Sequence, residues 1–259
     1  MSSFPFAAVL FDLDDTLLQD EAVGREAAFV TALELTGSEA SAVSLAKAAE
    51  EEARAAWQAL PQPALHYVHR IGHGAIEGLW ATYDPSIPAE AQLQQETARL
   101  RPEVWNRALQ RCELKGDGAA LERRWRHLRA SFPLFPETNT VLALLRPKTK
   151  LGIVTNGVKG LQRAKLNGSG LLHWFDPQGV AVSGEVDIGK PERGIFDWVC
   201  ERLGVAPKDC LMVGDNPERD VQGGINAGMK TCWVDRGFRA RGVRADYEVK
   251  DLRELLQRL

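Results

Sequence analysis

The sequence predicts an α/β fold: a parallel sheet covered by helices on both faces, with an all-helical segment inserted near its start. Three observations lead there. The apolar run Val9-Leu10-Phe11 ends abruptly in Asp12, Asp14 and Asp15, as a buried parallel strand ends at the edge where open α/β sheets bind ligands. From Leu151 onward, short apolar runs alternate with helical patterns, the signature of strands crossed over by helices. Between about residue 20 and residue 132 every periodic stretch is helical. That break sets the expected domains: 1–19 with 133–259 as the α/β core, and 20–132 as a helical domain.

The elements follow in order. Asp20 to about Thr36 reads as a helix, with Val23, Ala27, Val30 and Leu33 at helical spacing and Gly37 as its stop. A second helix runs from near Ser41 to Leu60, where Pro61 and Pro63 end it. Leu65 to Trp80 is helical again, and this reading puts His66, His69 and His73 on one face. Only Glu77 is near them, so they read as surface or interface histidines rather than a zinc site. Pro88 opens a further helix toward Leu109, which Pro102 is expected to break or kink. Gly116-Asp117-Gly118 is a turn, and a helix from about Ala119 to Ala130 follows.

Past Pro133, a helix opens at Pro136-Glu137-Thr138-Asn139 and passes through Val141, Leu142 and Leu145. Strands are expected at Leu151–Val154, Val180–Ser183, Cys210–Val213, Thr231–Val234 and near Tyr247-Glu248-Val249. Helices are expected around Lys159–Asn167, Gly194–Leu203 and Asp220–Ala227, with a last one capped by Asp251.

Composition narrows the function. A formal charge of −3 over 259 residues does not suit a protein that coats nucleic acid or anionic membrane. The basic clusters Arg123-Arg124-Trp125-Arg126 and Arg239-Ala240-Arg241 read as solvated faces among dispersed acids. Cys112, Cys200, Cys210 and Cys232 are far apart and form no CxxC, which fits a reducing compartment. The apolar start lacks a basic region and a small-residue cleavage site, and no stretch approaches the ~20 apolar residues of a membrane span. The expectation is a cytoplasmic protein.

Asp12-x-Asp14-x-Thr16 is followed, in order, by Ile153-Val154-Thr155-Asn156-Gly157, by Gly189-Lys190-Pro191-Glu192, and by Leu211-Met212-Val213-Gly214-Asp215-Asn216-Pro217-Glu218-Arg219-Asp220. Alone, each is an ordinary turn or cap. As an ordered set they resemble the four motifs of the haloacid dehalogenase (HAD) superfamily of Mg²⁺-dependent phosphotransferases, and the helical insertion resembles that superfamily's C1-type cap. The resemblance implies a Rossmann-like core.

It also implies roles. Asp12 is the nucleophile that forms an aspartyl-phosphate, dividing one hard displacement into two. Asp14 is the general acid and then the base, and its backbone carbonyl is a metal ligand. Thr16 orients Asp14 and lies among the phosphate-binding residues, or serves only as a turn or cap hydroxyl. Thr155 and Asn156 bind phosphoryl oxygens at the end of a strand, and Lys190 neutralises those oxygens and the nucleophile. Asp215 joins Asp12 and Asp14 around Mg²⁺, a cation suited to hard oxygen donors, and Asp220 acts in the outer shell or orients Lys190.

The expected reaction is Mg²⁺-dependent hydrolysis of a small phosphorylated metabolite. The alternatives are another enzyme of the superfamily (a dehalogenase, phosphonatase or phosphomutase) or a catalytically idle binding module. A phosphonatase needs a Schiff-base lysine from the insertion, where Lys47 and Lys115 are the only lysines.

Overall fold

The computed structural model describes residues 4–259. Its six strands are β1 (Ala8–Phe11), β2 (Lys150–Thr155), β3 (Val180–Val182), β4 (Cys210–Gly214), β5 (Lys230–Val234) and β6 (Tyr247–Val249). They form one sheet of order β3-β2-β1-β4-β5-β6 in which every pairing is parallel. The α/β fold read from the sequence is therefore the observed one, with the Rossmann strand order.

The helices are α1 (Asp20–Thr36), α2 (Glu39–Gln58), α3 (Ala64–Arg70), α4 (Ala75–Trp80), α5 (Pro88–Arg111), α6 (Gly118–Leu128), α7 (Thr138–Leu145), α8 (Lys159–Gly168), α9 (Ser183–Val186), α10 (Arg193–Leu203), α11 (Gln222–Ala227) and α12 (Leu252–Arg258). The chain divides into two compact units, Met1–Asp20 with Phe132–Leu259, and Glu21–Ser131.

In the α/β unit both sheet faces are covered, which explains the unbroken apolar runs. Val9 and Phe11 of β1 join Leu211 and Val213 of β4 in one core layer, together with Leu142 and Leu145 of α7 and Leu252 and Leu255 of α12. Ala8 and Leu10 point the other way and join Cys210 and Met212, against Phe196 and Val199 of α10. The order of the sheet reverses at β1, whose neighbours are β2 and β4. In parallel sheets the crevice at such a reversal is the ligand site. Phe11 is in register with Ile153 and Val213, so the segments after these strands leave the sheet at one edge.

A buried ion pair closes the unit from the side. Arg236 meets Glu137 at 2.8 Å, lies over the Phe135 ring at 3.6 Å, and donates to the Thr16 carbonyl at 3.0 Å.

The helical unit departs from the sequence reading at four places. Residues 65–80 are two helices, because Gly72 adopts a left-handed φ of +66° and Gly74 caps a new helix. His66, His69 and His73 therefore do not share a face: the first two are exposed, while His73 is buried and packs edge-on against Trp57 and Tyr83. α5 runs through Pro102 without interruption. There α6 begins so close that a Cβ on Gly118 would lie 2.5 Å from the Pro102 carbonyl oxygen, so tertiary packing overrides the local cost. The buried stripe of α1 is Gly24, Ala27, Thr31 and Ala32 rather than the bulkier Val23, Val30 and Leu33. Small residues are needed on that face because the Arg129 guanidinium lies directly over Gly24 while stacking on Trp80 and Trp125.

Glu90 is the polar pin of this unit. It is 1% exposed, accepts from the Tyr67 hydroxyl at 2.7 Å, and accepts from the backbone N–H of Asp84 at 2.8 Å. Glu90→Ala removes the acceptor of both hydrogen bonds and leaves a void. It is expected to destabilise this unit by about 2–4 kcal/mol, read from the urea unfolding midpoint.

Candidate active site

Asp12, Asp14, Thr16, Thr155, Asn156 and Asp215 sit at the end of a strand or in the turn beyond it, Lys190 lies between α9 and α10, and Asp220 lies in the helical turn Pro217–Val221 after β4. β1 delivers Asp12, whose backbone N–H donates to the Val213 carbonyl at 2.9 Å. The chain then turns through Asp15, held at a left-handed φ of +58°, a conformation that aspartate tolerates better than most residues. β4 delivers Asp215, whose carbonyl accepts from the Trp233 indole at 2.8 Å. Gly214, just before it, has no room for a side chain: a Cβ there would lie 2.2 Å from Asp220 Oδ2.

Asp12, Asp215 and Asp220 come together as a buried cluster, with one carboxylate oxygen of each within 4.8 Å of the others. Lys190, 5% exposed, reaches into it and bonds Asp12 Oδ1 at 2.5 Å and Asp220 Oδ1 at 2.6 Å. Asp220 Oδ2 in turn accepts from the Asn216 N–H at 2.9 Å. Arg239 approaches Asp215 at 3.3 Å.

Two side chains do something other than what the sequence suggested. The Thr16 hydroxyl donates to Asp12 Oδ2 at 3.2 Å and accepts from the Asp215 N–H at 3.0 Å. It orients Asp12, not Asp14, and fastens the first motif to the last. The Asn156 side chain brackets the Lys190 backbone, its Oδ1 accepting from the Lys190 N–H at 2.8 Å and its Nδ2 donating to the Lys190 carbonyl at 3.0 Å. In this structure its amide positions the lysine.

Asp14 is held by side chains of α8. Its carboxylate accepts from Lys165 Nζ at 2.8 Å and from Gln162 Nε2 at 2.9 Å. Gln162, Lys165 and Arg239 are site neighbours that sequence reasoning missed. Gln162 and Lys165 carried a signal: two polar residues at i, i+3 on the face of α8 that also holds Leu161 and Leu166. Arg239 carried none beyond a basic cluster read as solvated.

The electrostatics of the cluster follow from burial. Burial pushes the Asp12 carboxyl up to about 6, against the pull of Lys190 and with added repulsion from Asp220. Burial also raises Asp215 well above the usual carboxylate range, reinforced by Asp12, Asp220 and Asp15 and opposed by Arg239. Burial works against the Lys190 ammonium, but Asp12 and Asp220 outweigh it and lift its pKa above the ordinary value.

Three buried carboxylates facing the Lys190 ammonium, with the Arg239 guanidinium beside Asp215, are still short of positive charge. That deficit, together with an all-oxygen donor set, fits a hard divalent cation such as Mg²⁺. The sign of the pH effect follows. Asp12 binds its proton more tightly folded than unfolded, so between its ordinary value of 3.8 and about 6 the folded state holds more protons and stability falls as pH rises. Metal-free protein is therefore expected to melt at a lower temperature at pH 7.5 than at pH 5. Added Mg²⁺ is expected to raise the melting temperature more at pH 7.5, measured by calorimetry with and without chelator. An equal Mg²⁺ effect at both pH values would contradict this account.

The comparisons with known proteins give the family. The family model for haloacid dehalogenase-like hydrolases matches residues 6–228. The chain belongs to this family. A phosphoserine phosphatase of Thermus thermophilus is 40% identical to the hydrolase, over 95% of this chain and 96% of its own. The human N-acylneuraminate-9-phosphatase is 38% identical but matches 53% of this chain and 57% of its own. Among solved structures, an HAD phosphatase from Thermococcus onnurineus is 29% identical with a TM-score of 0.56, covering 96% of each chain. A magnesium-bound HAD-hydrolase of Bacillus subtilis is 22% identical with a TM-score of 0.65, covering 98% of each chain, a likeness of fold.

Proposed function

We propose that the hydrolase is a metal-dependent phosphomonoesterase that acts on a small phosphorylated metabolite through an aspartyl-phosphate. The observation that carries this reading is the second carboxylate, Asp14, two residues beyond the lysine-paired Asp12. An acid–base is what an alkoxide leaving group needs and what halide departure does not.

In the first step a carboxylate oxygen of Asp12 bonds to phosphorus as the ester P–O bond breaks, and Asp14 gives its proton to the departing oxygen. In the second, water bonds to phosphorus and loses a proton to Asp14. The aspartyl O–P bond then breaks, and inorganic phosphate leaves. Thr16 holds Asp12 in place, and Lys190 offsets charge on the nucleophile and on the phosphoryl oxygens. Thr155, with the N–H groups beyond β2, binds those oxygens, and Asn156 acts by holding Lys190. Asp12, Asp215 and the Asp14 backbone carbonyl would hold Mg²⁺, which when bound supplies charge that offsets the repulsion between nucleophile and phosphate. Asp220 acts on that site through Lys190.

The substrate reading rests on a relative matched over nearly its whole length, a phosphoserine phosphatase, and makes O-phosphoserine the first ester to try. The helical unit is proposed as the substrate-selecting cap. A partner beyond the small substrate, such as nucleic acid, is not part of this proposal. No helix among the described residues is long and apolar enough to cross a membrane, and four unpaired cysteines favour a cytoplasmic setting. Lys47 and Lys115 are both exposed, and Lys47 lies 4.0 Å from Glu51, so neither is the desolvated amine that a Schiff base favours.

The test is phosphate release from a panel of phosphomonoesters with and without Mg²⁺. Metal-dependent release is expected, with O-phosphoserine among the turned-over esters. Halide from a haloacid, an isomerised phosphate ester, or no turnover at all would redirect the reading to a dehalogenase, a phosphomutase or an idle module.

A further inference from the structure

Two polar side chains of α8, Gln162 and Lys165, are completely buried. Burying an amide and an ammonium is costly unless their partners are well placed, and here those partners are Asp14, Thr155 and Asp20. Gln162 Nε2 donates to Asp14 Oδ2 at 2.9 Å and to the Thr155 hydroxyl oxygen at 2.6 Å. Lys165 Nζ meets Asp14 Oδ1 at 2.8 Å and Asp20 Oδ1 at 3.0 Å. One turn of helix thus grips both oxygens of the Asp14 carboxyl group.

We propose that Gln162 and Lys165 are positioning residues for Asp14, the acid–base of the reaction proposed above, on which this inference rests. Three physical points support it. Gln162 donates to one Asp14 oxygen and Lys165 to the other, so the plane of the carboxyl group that exchanges the proton with leaving group and water is fixed. Asp20 anchors the lysine from the other side, so the ammonium is a fixed point rather than a mobile counter-ion. The amide that holds Asp14 also occupies the oxygen of Thr155, leaving that hydroxyl's own proton free to donate to a phosphoryl oxygen. Gln162 thereby keeps the acid–base and a phosphate-binding hydroxyl at a set separation.

The test exploits the leaving group. An alkoxide must be protonated as it departs, whereas p-nitrophenolate leaves unaided, so a displaced Asp14 harms the first far more than the second. Gln162→Met removes one donor. Lys165→Met alone would leave Asp14 and Asp20 facing each other and could unfold the chain, so the double variant Lys165→Met with Asp20→Asn is the companion.

With Mg²⁺, each variant is expected to lower kcat on O-phosphoserine, or on the best alkyl ester of the panel, by about 10²-fold with KM nearly unchanged. First-turnover release of p-nitrophenolate from p-nitrophenyl phosphate should fall by less than about tenfold and then stall as a burst, because the base that clears the aspartyl-phosphate is displaced as well. Lys165→Arg, which keeps a donor, should recover part of the alkyl-ester rate.

Equal losses on the two esters in the first turnover, or a loss confined to KM, would overturn the positioning role while leaving the phosphomonoesterase reading intact. If the wild type releases no phosphate from any ester with Mg²⁺, the phosphomonoesterase reading itself fails and this inference falls with it.

Discussion

Asp12→Asn is expected to lower metal-dependent phosphate release by about 10⁴-fold or more, because it removes the atom that bonds to phosphorus and nothing nearby can replace it. Asparagine is nearly isosteric, and its carbonyl oxygen can still accept from the Thr16 hydroxyl. Lys190 keeps Asp220 as a partner at 2.6 Å. What disappears is a buried charge that the fold holds at a cost, as the raised pKa of Asp12 shows. Metal-free Asp12→Asn is therefore expected to be at least as stable as the wild type at pH 7.5. Its response to Mg²⁺ should be weaker, because one of three converging carboxylates is gone. Loss of activity without loss of melting temperature separates a chemical role from a structural one. Full retained turnover would remove Asp12 as the nucleophile.

Lys190→Met should fail in the opposite way, losing stability and activity together. Lys190 is the buried cation that bridges Asp12 and Asp220, and without it the three carboxylates lose the ammonium that sits between them. Breaking a buried pair from one side typically costs about 3–5 kcal/mol. A loss of that order is expected in metal-free urea unfolding at pH 7.5. Mg²⁺ should restore part of it, since a divalent ion supplies the missing charge. Turnover is expected to fall by about 10²–10³-fold even at saturating metal, because positive charge at the phosphoryl oxygens is lost. A Lys190→Met protein as stable as the wild type would mean that the carboxylates are already neutral, and that the account of their electrostatics is wrong.

The sheet, its parallel strands and the helix positions are legible in the chain because their causes are local. An apolar run covered on both faces looks the same wherever it lies, and caps such as Asp117 and Asp251 act within a few residues of themselves. The motif acids were legible for the same reason, since Asp12 and Asp215 each end such a run. The misreadings in the helical unit share a cause too. Residues 65–80 broke at glycine conformations, α5 stayed whole because α6 backs it, and α1 turned its small residues inward to admit Arg129. In each case packing outweighed periodicity.

The residues proposed to react were thus present in the order of the chain, while the hydrogen bonds that hold them were not. Lys190 reaches Asp12 across 178 positions of chain, Gln162 reaches Asp14 across 148, and Thr16 fastens to Asp215 across 199. A spacing rule cannot see such contacts, because parallel crossovers bring strand ends together at intervals that depend on everything between them. Asn156 and Thr16 show the consequence. Both are polar residues in recognisable motifs, yet which atom each one serves depends on which donors and acceptors the folded sheet sets beside it.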